Sequence, residues 1–295
     1  MRITVVIPAY NGARWIAQAI DSALAQSAPP HEIVVVDDGS EDSTADIARS
    51  RPGVRVIPQA RQGTAAARNR GIHEAAGDWI ALLDQDDYFL PDKLLRQRQI
   101  LEQHPGAVAA YSGLRKLVAG GPTADVKATP PQRLWPALRC RSLITPSTLL
   151  VSKEALDAVG GFDPAVRMVS DWDFAFRLVR RFSPRLLCCV DEPLTAYRIW
   201  PGSMSSDHES VLSNGLLLMD QRLLEDMHGL GRRLWRRRIR AWLLYGSALT
   251  MREQGDPRCL RRALASLACW PLFGPAVPAH RHKVAAHMLW QALSR

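Results

Sequence analysis

The chain opens on an unbroken apolar run, Ile3 to Ile7, closed by Pro8. β-Branched residues without polar alternation read as a strand buried on both faces, as in a parallel sheet. Trp15, Ile16, Ala19, Ile20, Ala23 and Leu24 then recur at helical spacing. The two signals repeat. Strands are predicted over 32–36, 54–57 and 79–83, and helices over 44–49, 65–75 and 93–103. Ser43 is the expected cap of the second helix, and Asp92 the expected start residue of the last. Strand following helix at this rhythm predicts an α/β fold with parallel crossovers and a doubly wound sheet. After Ala110 the pattern weakens. Gly120-Gly121-Pro122 and Thr129-Pro130-Pro131 mark a loop-rich passage. A strand over 149–151, a helix over 171–181 and a strand over 186–190 follow. From residue 207 onward the chain reads as helical, with 230–253 and 258–267 rich in Arg and Leu.

Ligands of such sheets sit outside the carboxyl ends of the strands. Three strand ends carry polar residues: Pro8-Ala9-Tyr10-Asn11, Asp37-Asp38-Gly39-Ser40 and Asp84-Gln85-Asp86-Asp87. They are expected to line one crevice. Crowding Asp84, Asp86 and Asp87 costs repulsion. A divalent cation offsets it, and ligation by oxygen alone suits Mg²⁺ or Mn²⁺. The plainer alternative is a polar loop that caps the next helix. Asp37-Asp38-Gly39-Ser40 is likewise good turn chemistry. The two motifs on neighbouring strand ends carry more weight together, and point to a phosphorylated ligand bridged by metal.

Composition narrows the class. Over 295 residues, 47% hydrophobic and 23% charged is the range of a globular protein, which excludes disorder, collagen and a disulfide scaffold. Five cysteines, an odd number without metal spacing, fit reduced thiols in a cytoplasmic protein. Met1-Arg2 runs directly into a strand-like segment, so no signal peptide is expected. No stretch reaches the roughly 18 apolar residues of a spanning helix. Charge is uneven: residues 221–295 hold 14 basic and 4 acidic residues, and the first 220 hold 24 and 25. Six arginines lie between 232 and 240, interleaved with Leu234, Trp235 and Ile239. They read either as a solvated helix face or as an interfacial helix on anionic lipid, with 230–262 as the contact and the inner membrane as the expected surface. Nucleic acid is not an expected partner, because no recognition motif accompanies the charge. His280, His282 and His287 are expected at the solvated surface.

Four runs occur in order: Val5-Val6-Ile7-Pro8-Ala9-Tyr10-Asn11, Val36-Asp37-Asp38-Gly39-Ser40, Ala67-Arg68-Asn69-Arg70-Gly71 and Leu83-Asp84-Gln85-Asp86-Asp87. Pro146-Ser147-Thr148, Gly160-Gly161-Phe162-Asp163, Asp171-Trp172-Asp173 and Tyr197-Arg198 follow. In these runs and their spacing the chain resembles a family 2 glycosyltransferase of the bacterial cell-surface polysaccharide type. The resemblance covers roughly residues 3–205. It implies an α/β, Rossmann-like GT-A domain over 1–206, here with a mostly helical, Arg-rich extension over 207–295. It also implies an inverting transferase that takes a nucleotide-diphosphate sugar, expected as a UDP-sugar, and a carbohydrate or glycolipid acceptor. By that resemblance Pro8 and Tyr10 shape the base pocket. Asp38, with Asp37, holds nucleobase or ribose. Arg68 lies near base or diphosphate. Asp84 and Asp86 form the Asp-x-Asp motif, with Asp86 the direct ligand of Mn²⁺ or Mg²⁺. Asp171 matches the general base, and Arg198 or Ser203 is available to phosphate.

Two positions depart from the family pattern. Ser170 stands where a Glu is common before the base, and Trp200 where a His is common after Tyr-Arg. Indole neither ligates metal nor takes a proton. Asp171 also has a simpler reading, as an acid complementing the dipole of a first helical turn. Two other functions compete. Nucleotidyl transfer calls for a Gly-rich basic loop after the first strand, and Ala9-Tyr10-Asn11-Gly12-Ala13 has one Gly and no Lys. A catalytically inert, transferase-like binding module is compatible with the loss of Glu and His.

Overall fold

A computed structural model describes residues 1–118, 123–272, 282–284 and 286. The apolar runs form β1 (Ile3–Ala9), β2 (Glu32–Asp37), β3 (Val54–Pro58) and β4 (Trp79–Leu82), alternating with α1 (Ile16–Leu24), α2 (Thr44–Arg49) and α3 (Thr64–Glu74). These strands pair in parallel, in spatial order β3-β2-β1-β4. β1 is buried along its whole length. Val5, Ile7, Ile33 and Val35 share a core with Ile16, Ala19, Ile20 and Ala23 of α1. Val34 and Val36 face the other way, toward Ala67 of α3. Thr4, buried on β1, donates to Glu32 Oε2 at 3.0 Å; every other β1 side chain is apolar, since both faces are covered. Each such side chain contributes about 1.5–3 kcal/mol on burial.

The second half departs from the doubly wound expectation. It comprises β5 (Tyr88–Phe89), α4 (Lys93–Glu102), β6 (Ala109–Val118), β7 (Thr123–Val126), α5 (Pro131–Leu138), β8 (Leu149–Ser152), α6 (Lys153–Val159), α7 (Ser170–Phe182) and β9 (Leu187–Ile199). β8 is antiparallel to β4 and β6, β7 to β6, and β5 to β9, while β6 and β9 are parallel. The nine-stranded sheet is therefore mixed, in the order β3-β2-β1-β4-β8-β6-β9-β5, with β7 branching from β6. Antiparallel neighbours need no crossover helix, so strand–helix alternation does not reveal them. β6 also hides its character, because its buried start gives way to Arg115 and Lys116 after Gly113. A Cβ on Gly113 would lie 2.8–2.9 Å from the carbonyl oxygens of Val126, Asp191 and Glu192. Only glycine lets three chains meet there, where the β6–β9 register shifts. β9 runs well past residue 190 and carries Tyr197 and Arg198 into the sheet.

One expected cap is corrected. Ser43 makes no side-chain bond to α2; instead Asp42 Oδ1 accepts from Thr44 N at 3.0 Å. Asp92 stands immediately before α4, as expected of its start residue, and its side chain accepts from Ser27 Oγ.

The chain divides into two compact units: 1–134 with 143–200, and 135–142 with the chain from 201 onward. The first holds the sheet. The second holds α8 (His208–Leu218), α9 (Gly229–Glu253) and α10 (Cys259–Cys269). Ala248 and Ala263 form a small core there with Leu249, Leu260 and Leu267. Within this unit Arg139 forks onto Asp226 at 2.6 and 3.0 Å and lies over the Trp135 and Trp235 rings. Gly120-Gly121-Pro122, His280 and His287 lie outside the described residues. All five cysteines are free thiols. Among the described residues no helix is long and apolar enough to cross a membrane.

Candidate active site

The carboxyl ends of β1, β2 and β4 are neighbours in the sheet, so Pro8, Tyr10, Asp37, Asp38, Asp84 and Asp86 come to one edge, as expected. The ends are tied together. Asp38 N donates to Ala9 O at 2.8 Å, and Leu83 N to Val6 O at 3.0 Å. Past β1, four successive backbone N–H groups donate to side chains. Tyr10 donates to Gln85 Oε1 (2.9 Å), Asn11 to Ser40 Oγ (3.0 Å), Gly12 to Thr44 Oγ1 (2.7 Å) and Ala13 to Asp42 Oδ2 (3.1 Å). A loop with its donors satisfied in this way holds one conformation.

Asp37 and Asp38 have different tasks. Asp38 is buried, and both its oxygens are engaged. Oδ1 accepts from Gln59 Nε2 and Gln62 N at 2.7 and 2.8 Å, and Oδ2 from Gly63 N at 2.7 Å. Asp38 thus fixes the loop that follows β3. Asp37 accepts from Ser40 N through Oδ1 only. The Arg61 guanidinium lies 4.0 Å from the centre of the Tyr10 ring.

The acidic turn is sorted further. Arg68, buried on α3, pairs with Asp84 at 2.6 Å. Its Nε is buried without a hydrogen-bond partner. Asp87 is fully buried, accepting from Ser147 Oγ (2.6 Å) and Arg198 N (3.0 Å). Burial first, then the Asp84 and Asp86 charges, push its carboxyl well above the usual range. Asp86 accepts from the Trp200 indole N–H at 2.9 Å, while Arg198 Nη1 donates to its carbonyl at 2.7 Å. Burial raises the Asp86 carboxyl, and the Trp200 bond partly offsets it. Arg198 also bonds Gln18 and packs on the Trp15 and Tyr88 rings, 4.5 and 5.0 Å away. Its guanidinium is committed to protein groups.

Among the described residues no three His, Cys, Asp or Glu side chains converge as metal ligands. Asp84 and Asp86 offer two carboxylates. That donor set fits a hard cation that keeps water or takes substrate phosphate oxygens at its other positions.

Asp171 lies half-buried in the first turn of α7. Gly160 and Gly161 have positive φ, as expected. The turn they form is clamped by Asn69, which accepts from Phe162 N at 2.8 Å and donates to Phe162 O at 2.7 Å. Phe162 stacks on Phe174 of α7 at 4.4 Å and lies 5.1 Å from the Arg68 guanidinium. Arg177 donates to Val159 O, Gly161 O and the fully buried Asp173. α7 is thereby anchored beside Arg68. Sequence reasoning missed what Gln85, Ser147, Asn69 and Trp200 do. The first three lie inside the motifs quoted above, but their bonds are to chain far away in sequence.

Residues 4–145 match the model of Glycosyl transferase family 2. The chain is also 30% identical to the succinoglycan biosynthesis protein ExoO of Rhizobium meliloti, over 292 residues that cover 91% of this chain and 82% of that one. The chain belongs to glycosyl transferase family 2. The chain spans little more than half the length of some other relatives: an uncharacterized glycosyltransferase of Rickettsia typhi is 33% identical over 189 residues, 60% of this chain and 58% of its own. The fold of this family 2 member is GT-A. TarS of S. aureus, solved with UDP-GlcNAc, has a TM-score of 0.62 at 17% identity, covering 95% of this chain and 83% of that one. The mannosyltransferase PcManGT of Pyrobaculum calidifontis, solved with GDP-Man and Mn²⁺, has 0.60 at 19%, covering 99% and 86%.

Proposed function

We propose that this chain moves a sugar from a nucleotide diphosphate, a UDP-sugar by preference, to an acceptor hydroxyl with inversion at the anomeric carbon. The observation that carries this reading is the convergence of Tyr10, Asp37, Arg68, Asp84 and Asp86 on one sheet edge. The likeness to ExoO supports a place in polysaccharide or glycolipid assembly. UDP-GlcNAc in TarS and Mn²⁺ in PcManGT support the donor class and the cation.

In this reading Pro8 and Tyr10 line the base, and Asp37 accepts a hydrogen bond from base or ribose. Asp38 acts through the loop it fixes. Arg68 faces the diphosphate. Asp84 and Asp86 hold Mn²⁺ or Mg²⁺, with Asp86 as the direct ligand; the bound cation would neutralise charge on the leaving diphosphate. Arg198 and Trp200 orient Asp86. Asp171 takes the proton of the attacking hydroxyl. The transferase domain spans 1–206 and the basic extension 207–295. The excess of 14 basic over 4 acidic residues in 221–295 supports contact of 230–262 with an anionic membrane surface.

The test is donor turnover with a panel of nucleotide sugars, with and without Mn²⁺ or Mg²⁺. One donor should be consumed, only with cation, and Asp86→Ala should lose both turnover and the cation's effect on UDP binding. An Asp86→Ala protein that binds UDP and Mn²⁺ as the parent does would rule the assignment out. A protein that binds donor yet never turns it over would favour the inert binding module.

A further inference from the structure

We infer that Gln85 is a positioning residue that couples the nucleotide side of the crevice to its acidic side; the inference rests on the reading above. β1 and β4 pair in parallel only as far as Val6 and Leu82, with one more bond from Leu83 N to Val6 O. Beyond it the two chains part. Tyr10 then has no strand partner on the β4 side, and the Gln85 side chain takes that place. Its Oε1 accepts from Tyr10 N at 2.9 Å and its Nε2 donates to Tyr10 O at 3.0 Å. A side-chain amide carries the same donor and acceptor as a peptide group, so Gln85 extends the β1–β4 ladder across the mouth of the crevice.

The consequence follows from where Gln85 sits. It is bonded covalently to Asp84 on one side and Asp86 on the other. Consecutive Cα atoms are about 3.8 Å apart, so the position of Tyr10 sets that of both carboxylates. The Tyr10 end cannot drift, because Asn11, Gly12 and Ala13 are fastened to Ser40, Thr44 and Asp42. The other end is fixed by Arg68 on Asp84 and by Trp200 and Arg198 on Asp86. Gln85 is a direct hydrogen-bonded link between these two parts.

The strap also explains Gly12. A Cβ there would lie 2.2 Å from Gln85 Oε1. Gly12 does not have positive φ, and the obstructing atom is the end of a flexible side chain. Gly12→Ala therefore displaces the Gln85 amide without straining its own backbone. Gln85→Met keeps the side-chain length and removes both bonds. The two variants break the same strap from opposite ends.

The test measures UDP and GDP binding by calorimetry, with and without Mn²⁺, in the parent, Gln85→Met and Gly12→Ala. The quantity read is the factor by which Mn²⁺ tightens the nucleotide. Two hydrogen bonds of ordinary strength correspond to roughly thirtyfold, so both variants should lose about thirtyfold of that factor. Their affinity without Mn²⁺ should change less. A purely structural role would lower thermal stability and leave the factor unchanged, which would overturn the inference while the parent's own Mn²⁺ effect still stood. A parent without any Mn²⁺ effect would overturn the metal reading and this inference together.

Discussion

Lys93 shows how far one position can depart from what its residue type implies. It is fully buried at the start of α4, with Nζ 2.7 Å from Gln97 Oε1 and 4.2 Å from the Phe89 ring. Burial pushes its ammonium down to about 7. The unfolded chain keeps the ordinary value of roughly 10.4. Between these two values the unfolded state binds more protons, so the contribution to stability rises with pH across that window and is lost as pH falls toward 7. The slope is about 1.4 kcal/mol per pH unit. Urea unfolding of the parent and Lys93→Met from pH 7 to 9 checks it: the parent should gain on the variant as pH rises, and parallel curves would refute the assignment. In sequence Lys93 is an unremarkable helix residue, and its burial follows from long-range packing. The aspartates teach the same lesson. By residue type and spacing Asp84, Asp86 and Asp87 read alike, and only the family resemblance set Asp87 apart. Ser147 and Arg198, 60 or more residues away, take Asp87 into the core and leave the other two at the edge.

At the scale of elements, the first turn of α7 gives its two acids, Asp171 and Asp173, different burial. Asp173 pairs with Arg177 at 2.7 Å, and Arg177 also holds the Val159 and Gly161 carbonyls. Asp171, at the opening of the same helix, is half-buried. Asp173→Asn should cost about 3–5 kcal/mol, the range for breaking a buried pair. Asp171→Asn should lower kcat by roughly 10² to 10⁴, the range for losing a general base, with donor affinity little changed and inverted product in the parent. Thermal melts and single-donor kinetics on both variants would show whether the two roles are so divided; a kcat preserved in Asp171→Asn removes it as the base. The legible elements were those whose burial covers both faces, such as β1 and β2. β6 was illegible because Gly113, Arg115 and Lys116 interrupt its apolar pattern, and because its partners β8, β7 and β9 all come later in the chain.

The whole molecule carries its excess charge in the last quarter of the sequence. Each basic residue close to an anionic surface contributes about 1 kcal/mol, weakened by salt. Co-sedimentation with anionic liposomes should therefore exceed that with neutral ones and fall as salt rises, and equal recovery on both would leave α9 a solvated helix. By itself the sequence determined the parallel half of the sheet, the edge on which the site stands and the family, because buried strands and strand-end motifs are local patterns with local causes. The tertiary structure decided the rest. It made the sheet mixed, brought 135–142 into the helical unit, and set Gln85 against Tyr10, Trp200 against Asp86 and Asn69 against Phe162. Those pairs lie 75, 114 and 93 residues apart. A hydrogen bond between such positions depends on which strands become neighbours, and no run of adjacent residues encodes that.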